Sequence, residues 1–84
     1  MPVYNVQLDS NGNGQWRTQQ RLRQLTIINQ GTAAVTVLRN NHLPGFTLNT
    51  NIQVQFEEEE ARDTSSLGFT GGPANGTGIL ISWE

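Results

Sequence analysis

The chain has 84 residues, a length that supports one small domain. Its formal net charge is −2 and only 14% of its residues are charged, so it lacks the positive field that would attract nucleic acid or an anionic membrane. It contains no cysteine, which excludes disulfides and cysteine-based zinc sites and leaves self-association as a route to stability. We therefore expect neither nucleic-acid nor membrane binding.

The polar residues of this chain are mostly amides and hydroxyls. Lysine is absent, whereas the sequence has nine asparagines, eight glutamines and nine threonines. Such side chains hydrogen-bond to protein or sugar surfaces without the cost of burying a charge. The sequence shows no secretory signal and no run of eighteen apolar residues, so we expect a soluble protein made in a cytoplasm.

The first third of the chain predicts two strands separated by a turn. Tyr4, Val6 and Leu8 alternate with polar residues, and two Asn-Gly pairs in residues 9–14 predict the turn. Residues 15–24 fit a strand or an irregular approach better than a helix, because they contain only two apolar residues to bury.

The next segment predicts a β-hairpin over residues 22–38. Leu25 and Ile27 would face one side, and residues 29–32 would reverse the chain. Val35 and Val37 of the returning strand would then pair across from that same face. We expect this hairpin to be the most buried unit of the domain.

A loop with a Pro44–Gly45 turn is predicted over residues 39–45. Two strands follow, at residues 46–48 and 52–56. In the second strand, every other residue is apolar and would share one buried face: Ile52, Val54 and Phe56.

The last third of the chain begins with four consecutive glutamates, residues 57–60, whose mutual repulsion disfavours tight burial. Residues 61–63 are predicted to begin a mobile connection that continues through residue 66. Leu67 and Phe69 predict a short edge strand, and residues 70–78 form a glycine-rich loop. Residues 79–83 are apolar on both faces for three positions, as expected of a strand inside a sandwich or against a partner.

Together these elements predict an all-β fold with no helix. Turn signals recur about every ten residues, which favours a single small antiparallel β-sandwich or a jelly-roll-like barrel of six to eight short strands. The sequence has no internal repeat and no linker, so one β domain would span residues 1–84.

No residue pattern points to catalysis, a cofactor or a metal ion. His42 is the single histidine, and it has no serine or carboxylate at a spacing typical of a triad. The four glutamates lack the alternating Asp/Asn and glycine arrangement of a calcium loop. We interpret them as a solvated strand end or as a patch that meets arginines of another subunit, and we do not predict an enzyme.

Several residues are candidates for contacts with a partner. Arg17, Arg21 and Arg23 form the basic cluster, and arginine suits interface ion pairs because its guanidinium binds carboxylates in a bidentate manner. Tryptophans are enriched at interfaces, and the final strand needs more shelter than so small a chain can supply. The predicted interface residues are Trp16, Arg17, Arg21, Arg23, Ile79, Ile81 and Trp83.

Three segments carry a resemblance to a class of known proteins. They are Leu-Thr-Ile-Ile-Asn-Gln-Gly at 25–31, Leu-Pro-Gly-Phe-Thr-Leu at 43–48 and Gly-Ile-Leu-Ile-Ser-Trp at 78–83. In these the chain resembles the small β-rich accessory proteins of bacteriophage virions, such as capsid decoration or cement proteins and tail components. The resemblance implies a virion protein that forms a homo-oligomer, with a trimer as one option, and binds viral capsid or tail proteins.

Two alternatives stay open at this point. The first is a small carbohydrate-binding module in which an exposed Trp16 or Tyr4 stacks on a sugar ring. The second is an enzyme, which would require His42 to meet a carboxylate in a pocket.

Overall fold

The computed structural model describes residues 2–84 and contains eight strands and one short helix. This confirms the predicted all-β class and the upper end of the predicted strand number. In chain order the elements are β1 (Val3–Val6), β2 (Gly14–Arg17), β3 (Leu25–Asn29), β4 (Val35–Arg39), β5 (Phe46–Leu48), β6 (Gln53–Phe56), α1 (Glu58–Asp63), β7 (Ser66–Thr70) and β8 (Ile79–Trp83).

The strands form two antiparallel sheets of four strands each. The front sheet has the order β1-β8-β3-β6, and the back sheet has the order β2-β7-β4-β5. Four of the strand pairs are those of one long hairpin: β1·β8, β2·β7, β3·β6 and β4·β5. The other two pairs, β3·β8 and β4·β7, form where that hairpin folds back on itself. This order is the jelly-roll arrangement of a sandwich.

The core lies between the two sheets and follows the period-two pattern of the strands. Alternate residues of β3, β4 and β8 are buried, while their neighbours in sequence are half-buried on the outer faces. The buried members of these three strands belong to one apolar cluster: Leu25, Ile27, Val35, Val37, Ile79 and Ile81.

The predicted hairpin over residues 22–38 is wrong, although both of its strands exist. β3 lies in the front sheet between β8 and β6, whereas β4 lies in the back sheet between β7 and β5. The connection passes from the front sheet to the back sheet over one end of the sandwich, and Asn29 fixes this crossing. Its Nδ2 donates to the carbonyl oxygens of Ala33 (2.9 Å) and Leu48 (3.0 Å), and its Oδ1 accepts from the amide of Gly31 at 2.9 Å.

The absence of helix and the mobile connection after β6 were also wrong predictions. Residues Glu58–Asp63 form α1, whose first turn is acidic and so complements the positive end of the helix dipole. The amide of Glu57 donates to Glu60 Oε1 at 3.2 Å, and the hydroxyl of Thr64 donates to the Glu60 carbonyl oxygen at 2.6 Å. Ala61 is fully buried and anchors the helix to the core.

Two strands occupy positions in the sheets that differ from expectation. The segment with Leu67 and Phe69 is not an edge strand, because β7 lies between β2 and β4 and both side chains are fully buried. β6 is an edge strand, so its predicted apolar face is buried at Phe56 but becomes exposed toward Ile52, which is 47% exposed.

Candidate interaction site

The charged residues are concentrated at one end of the sandwich. Antiparallel strands place successive connections at alternating ends of the sandwich. One end, which we call the charged end, contains residues 18–24, 40–45 and 57–65 together with Pro2 and Glu84. Residues 7–13, 30–34, 49–52 and 71–78 form the opposite end, which we call the glycine end. Of all the charged residues, only Asp9 lies at the glycine end.

The charged end distributes the predicted arginine cluster over separate places. Arg17 lines a groove of about 440 Å³ with Thr18, Gln19, Asn41, Ser65 and Ser66. Asn40 shapes that groove, because its Oδ1 accepts from the amides of Ser65 (2.8 Å) and Ser66 (3.2 Å). The groove is therefore lined by hydroxyls and amides around a single cation.

Arg23 lines a second groove, of about 400 Å³, that also contains Glu57 and Glu58. The structure thus brings one predicted arginine and part of the glutamate run together within a single chain. Among residues 2–84 the one salt bridge joins Arg62 Nη2 to Glu58 Oε1 at 3.2 Å, across one turn of α1. Arg21 is exposed and lines neither groove.

The two tryptophans contact each other at the charged end. Their ring centroids are 5.0 Å apart and the rings are tilted by 52°. Because Trp16 belongs to β2 of the back sheet and Trp83 to β8 of the front sheet, the pair links the two sheets. Trp16 is only 7% exposed, whereas Trp83 is half-buried.

Three of the predicted interface residues therefore lie in the chain's own core. Trp16, Ile79 and Ile81 are buried by the two sheets and offer no surface to a partner. Among the inward-facing residues of β8, Trp83 alone is only half-buried, so the predicted need for burial by a partner applies to Trp83 and not to Ile79 or Ile81. The physical reason is that β8 is a central strand with β1 and β3 on its two sides.

The outer surface of the front sheet is free of charged residues. Strand register places its outward side chains in two rows, Val3–Ser82–Thr26–Gln55 and Asn5–Leu80–Ile28–Gln53. We call these eight residues the front face. Leu80 and Ile28 are Cα partners on the two central strands and form its apolar centre, and Val3 is 62% exposed at one side.

The outer surface of the back sheet, unlike that of the front sheet, carries a charged residue and is partly covered by a loop. It carries Arg17 on β2, and the loop after β4 lies over its centre. A Cβ added to Gly68 would lie 3.3 Å from Asn41 Oδ1 in that loop. Within residues 2–84, the one hydrogen bond from a loop to an outer side chain of the front face runs from the amide of Gly78 to Asn5 Oδ1 (3.2 Å), at the start of β8.

The amino-acid sequence contains a signal for the apolar centre of the front face. Residues 79–81 are apolar at three successive positions, so one of them must point away from the core. That residue is Leu80, and Ile28 gives the same signal in β3. Sequence alone could not show that β3 and β8 are neighbours, because the 49 residues 30–78 separate these two strands along the chain.

His42 lies in a third groove, of about 290 Å³, between the loop after β4 and the end of β6. Glu60 and Arg39 line the same groove, and its floor includes Phe46 and Phe56, whose ring centroids are 6.2 Å apart. No hydrogen bond joins His42 to Glu60 within the described chain. No group of three or more His, Asp or Glu residues among residues 2–84 is arranged to hold a metal ion.

Comparisons of the chain with protein-family models, with curated proteins and with solved structures found no match. None of the helical residues in the part of the chain that the structure describes forms a segment long and apolar enough to cross a membrane.

Proposed function

We propose that this protein is a non-enzymatic structural protein that self-associates and binds the capsid or tail surface of a virus. The observation that carries the proposal is the front face, a sheet surface without a charge and with Leu80 and Ile28 at its centre. Its function is surface burial, and no bond is made or broken.

The composition of the front face matches that of protein–protein interfaces. The centres of such interfaces are depleted in charged residues and enriched in apolar ones, and a polar rim surrounds them. Here the apolar centre is flanked by amides and hydroxyls: Asn5, Thr26, Gln53, Gln55 and Ser82. A partner can cover this surface without desolvating an ion, which would cost several kcal/mol for an unpaired charge.

The size of the front face indicates that it forms the centre of a larger contact. Four strands spaced about 4.8 Å apart, each with about four residues, give a surface of roughly 300 Å². A stable interface buries about 800 Å² on each partner. We therefore expect the rim of the contact to extend to the charged end, where Arg21, Arg23 and residues 57–60 can provide electrostatic complementarity.

The viral partner is supported by two analogies. Jelly-roll sandwiches recur in viral capsid domains and in lectins, which is a likeness of fold and not of site. The three sequence segments described above favour the viral alternative. The lectin alternative loses Trp16 as a stacking surface, because that ring is buried against Trp83, and it would depend on Tyr4, which is 46% exposed.

Light scattering coupled to size-exclusion chromatography tests the self-association. We expect a mass above that of a single chain, 9.3 kDa, at micromolar concentration. Leu80→Lys should shift the mass toward the single chain, because it places a charge at the centre of the front face. Thr47→Lys is the matched control, since Thr47 is exposed on the outer surface of the back sheet.

Circular dichroism would show that both variants keep the fold. A wild-type mass of 9.3 kDa throughout a concentration series would contradict self-association. The viral part is tested separately, by mass spectrometry of purified virions and by the identity of the neighbouring genes. We expect the chain in the virions and capsid or tail genes beside its own, and the absence of both would contradict a viral partner.

A further inference from the structure

The outer edge of β6 has backbone hydrogen-bonding groups without partners. In an antiparallel pair, alternate residues direct their N–H and C=O groups toward the neighbouring strand. The amide of Gln30 donates to Gly78 and the amide of Glu84 donates to Gln24, so the even-numbered residues of β3 face β8. The odd-numbered residues of β3 consequently face β6, as the bond from the Asn29 amide to the Ile52 carbonyl shows.

The register between β3 and β6 then determines which residues of β6 are free. Val54 and Phe56 are paired with Ile27 and Leu25 and direct their backbone groups toward β3. Gln53 and Gln55 direct theirs away from the sheet. No strand lies beyond β6, and no backbone hydrogen bond involving Gln53 or Gln55 leads outward to another part of residues 2–84.

The other three edges are protected in ways that β6 is not. β2 carries Arg17, and β5 has only three residues. β1 lies against the start of β2, because a Cβ added to Gly14 would be 3.0 Å from Val6 Cγ1. β6 has the sequence Gln-Val-Gln-Phe, with neither a charge nor a proline. Natural edge strands usually carry such protective features, and an edge without them is a template for pairing with another strand.

We propose that β6 pairs with β6 of a second copy of this chain in antiparallel orientation, with a two-fold axis beside Val54. This inference rests on the proposed self-association and adds a second contact to it: the β6 edges pair, while the front face with Leu80 and Ile28 stays available for further association. Gln53 of one copy then lies opposite Gln55 of the other, and the two such pairs make four backbone hydrogen bonds. The two Val54 residues face each other in the non-hydrogen-bonded position between them.

The hydrogen-bonding pattern and the charges fit a second copy. The residues with free groups are two positions apart, as a two-fold axis at the residue between them requires. Pairs on the outer side are glutamine with glutamine, and Glu57 comes opposite Asn51, so no like charges meet. Gln53 and Gln55 also belong to the front face, so pairing joins two front faces into one continuous surface.

Four backbone hydrogen bonds by themselves give only a weak dimer, since the net gain from each bond is small and association has its own entropic cost. A covalent trap is therefore the suitable measurement. The chain has no cysteine, so a single introduced thiol reports on one position alone.

The test is mild oxidation of Val54→Cys, followed by non-reducing electrophoresis. In a non-hydrogen-bonded pair the two Cα atoms are about 4.5 Å apart, within the range that a disulfide spans. Ile52→Cys is the register control, because the two residues 52 would be displaced by four residues, or about 13 Å along the strands. Thr47→Cys on β5 controls for random collisions.

We expect Val54→Cys to form disulfide-linked dimer at least about tenfold faster than either control, and a second change, Gln55→Pro, to remove that advantage. Proline deletes an amide that has no partner within the chain, so circular dichroism should show the sheet unchanged. Equal rates for all three cysteines would overturn the β6 pairing. If wild type still exceeds 9.3 kDa by light scattering in that case, the proposed function stands; if wild type is a single chain, both fail.

Discussion

The two ends of the sandwich are built differently, although the same eight strands connect them. At the glycine end, backbone groups of different loops bond directly to each other. These bonds are Leu8 N to Gly76 O (2.9 Å), Asn75 N to Asp9 O (2.8 Å), Gly72 N to Gly12 O (3.1 Å) and Gln30 N to Gly78 O (2.8 Å). The charged end also has backbone bonds between segments, such as Thr18 N to Ser65 O (2.9 Å) and Arg23 N to Glu84 O (2.6 Å). Side chains add further contacts there, through Asn40, α1 and the tryptophan pair.

This difference explains where the charges can be. Loops that approach each other by their backbones, as at Gly12 and Gly72, leave no room for a side chain between them. Loops that meet by side chains at the surface stay hydrated, so charges there cost little.

The largest expected effect is a break at the glycine end. Gly12 has φ +76°, and an added Cβ would lie 2.0 Å from the carbonyl oxygen of Gly72. We expect Gly12→Ala to lower the free energy of unfolding by about 3 kcal/mol or more, because two backbones must separate. Urea unfolding followed by tryptophan fluorescence measures this loss.

Gly71→Ala is the matched control for that change. Gly71 has a similar φ of +71°, but its added Cβ would meet nothing closer than Thr36 Oγ1 at 4.0 Å. Only the left-handed backbone penalty remains, about 1 kcal/mol. Equal losses for the two alanines would show that the close approach of the loops contributes nothing to stability.

A smaller effect is expected at the crossing between the sheets. Asn29→Ala removes three hydrogen bonds and leaves the buried carbonyl oxygen of Leu48 without the Asn29 side-chain donor. We expect a loss of about 2 kcal/mol in the free energy of unfolding. Asn49→Ala, at an exposed residue with no side-chain hydrogen bond, should change the stability by less than about 0.5 kcal/mol. A loss at residue 49 as large as that at residue 29 would contradict this account of the crossing.

The smallest effect is expected at the charged end. Glu58→Gln breaks the salt bridge to Arg62, but Glu58 is 67% exposed, so we expect a loss of no more than about 0.5 kcal/mol. Glu59→Gln, which has no ion-pair partner, gives the baseline. Thermal unfolding at low and high salt would resolve the difference, and a Glu58→Gln loss above 1 kcal/mol would remove the contrast between the ends.

Local sequence patterns predicted well where strands lie along the chain, but they predicted poorly which strands pair in a sheet. The alternation at residues 25–28 and the turn residues at 9–14 act over a few positions, and both predictions are confirmed. The pairing of β3 with β4 failed because adjacency in sequence favours a hairpin, whereas the jelly roll pairs β3 with β8 and β6 and pairs β4 with β7 and β5. The mobile connection predicted over residues 61–66 is wrong because the local pattern does not show the capping bonds and the burial of Ala61 that stabilise α1. Residues 57–60 are exposed, as their mutual repulsion predicts.

The candidate site was predicted less completely than the fold. The arginines remain predicted contact residues, whereas Trp16, Ile79 and Ile81 are buried. Aromatic and apolar content alone does not show which side chains the two sheets enclose. In the sequence, Leu80 and Ile28 stand out only because they are apolar at positions where strict alternation would place a polar residue.

The amino-acid sequence by itself determined that this protein is a small all-β domain with one buried face on most strands, since a period of two and turn residues are local properties of the chain. Only the tertiary structure decided that the charges gather at one end, that Leu80 meets Ile28 on an open uncharged sheet, and that Gln53 and Gln55 keep unpaired backbone groups. These features depend on which distant strands lie side by side, and that is fixed by the packing of the whole core.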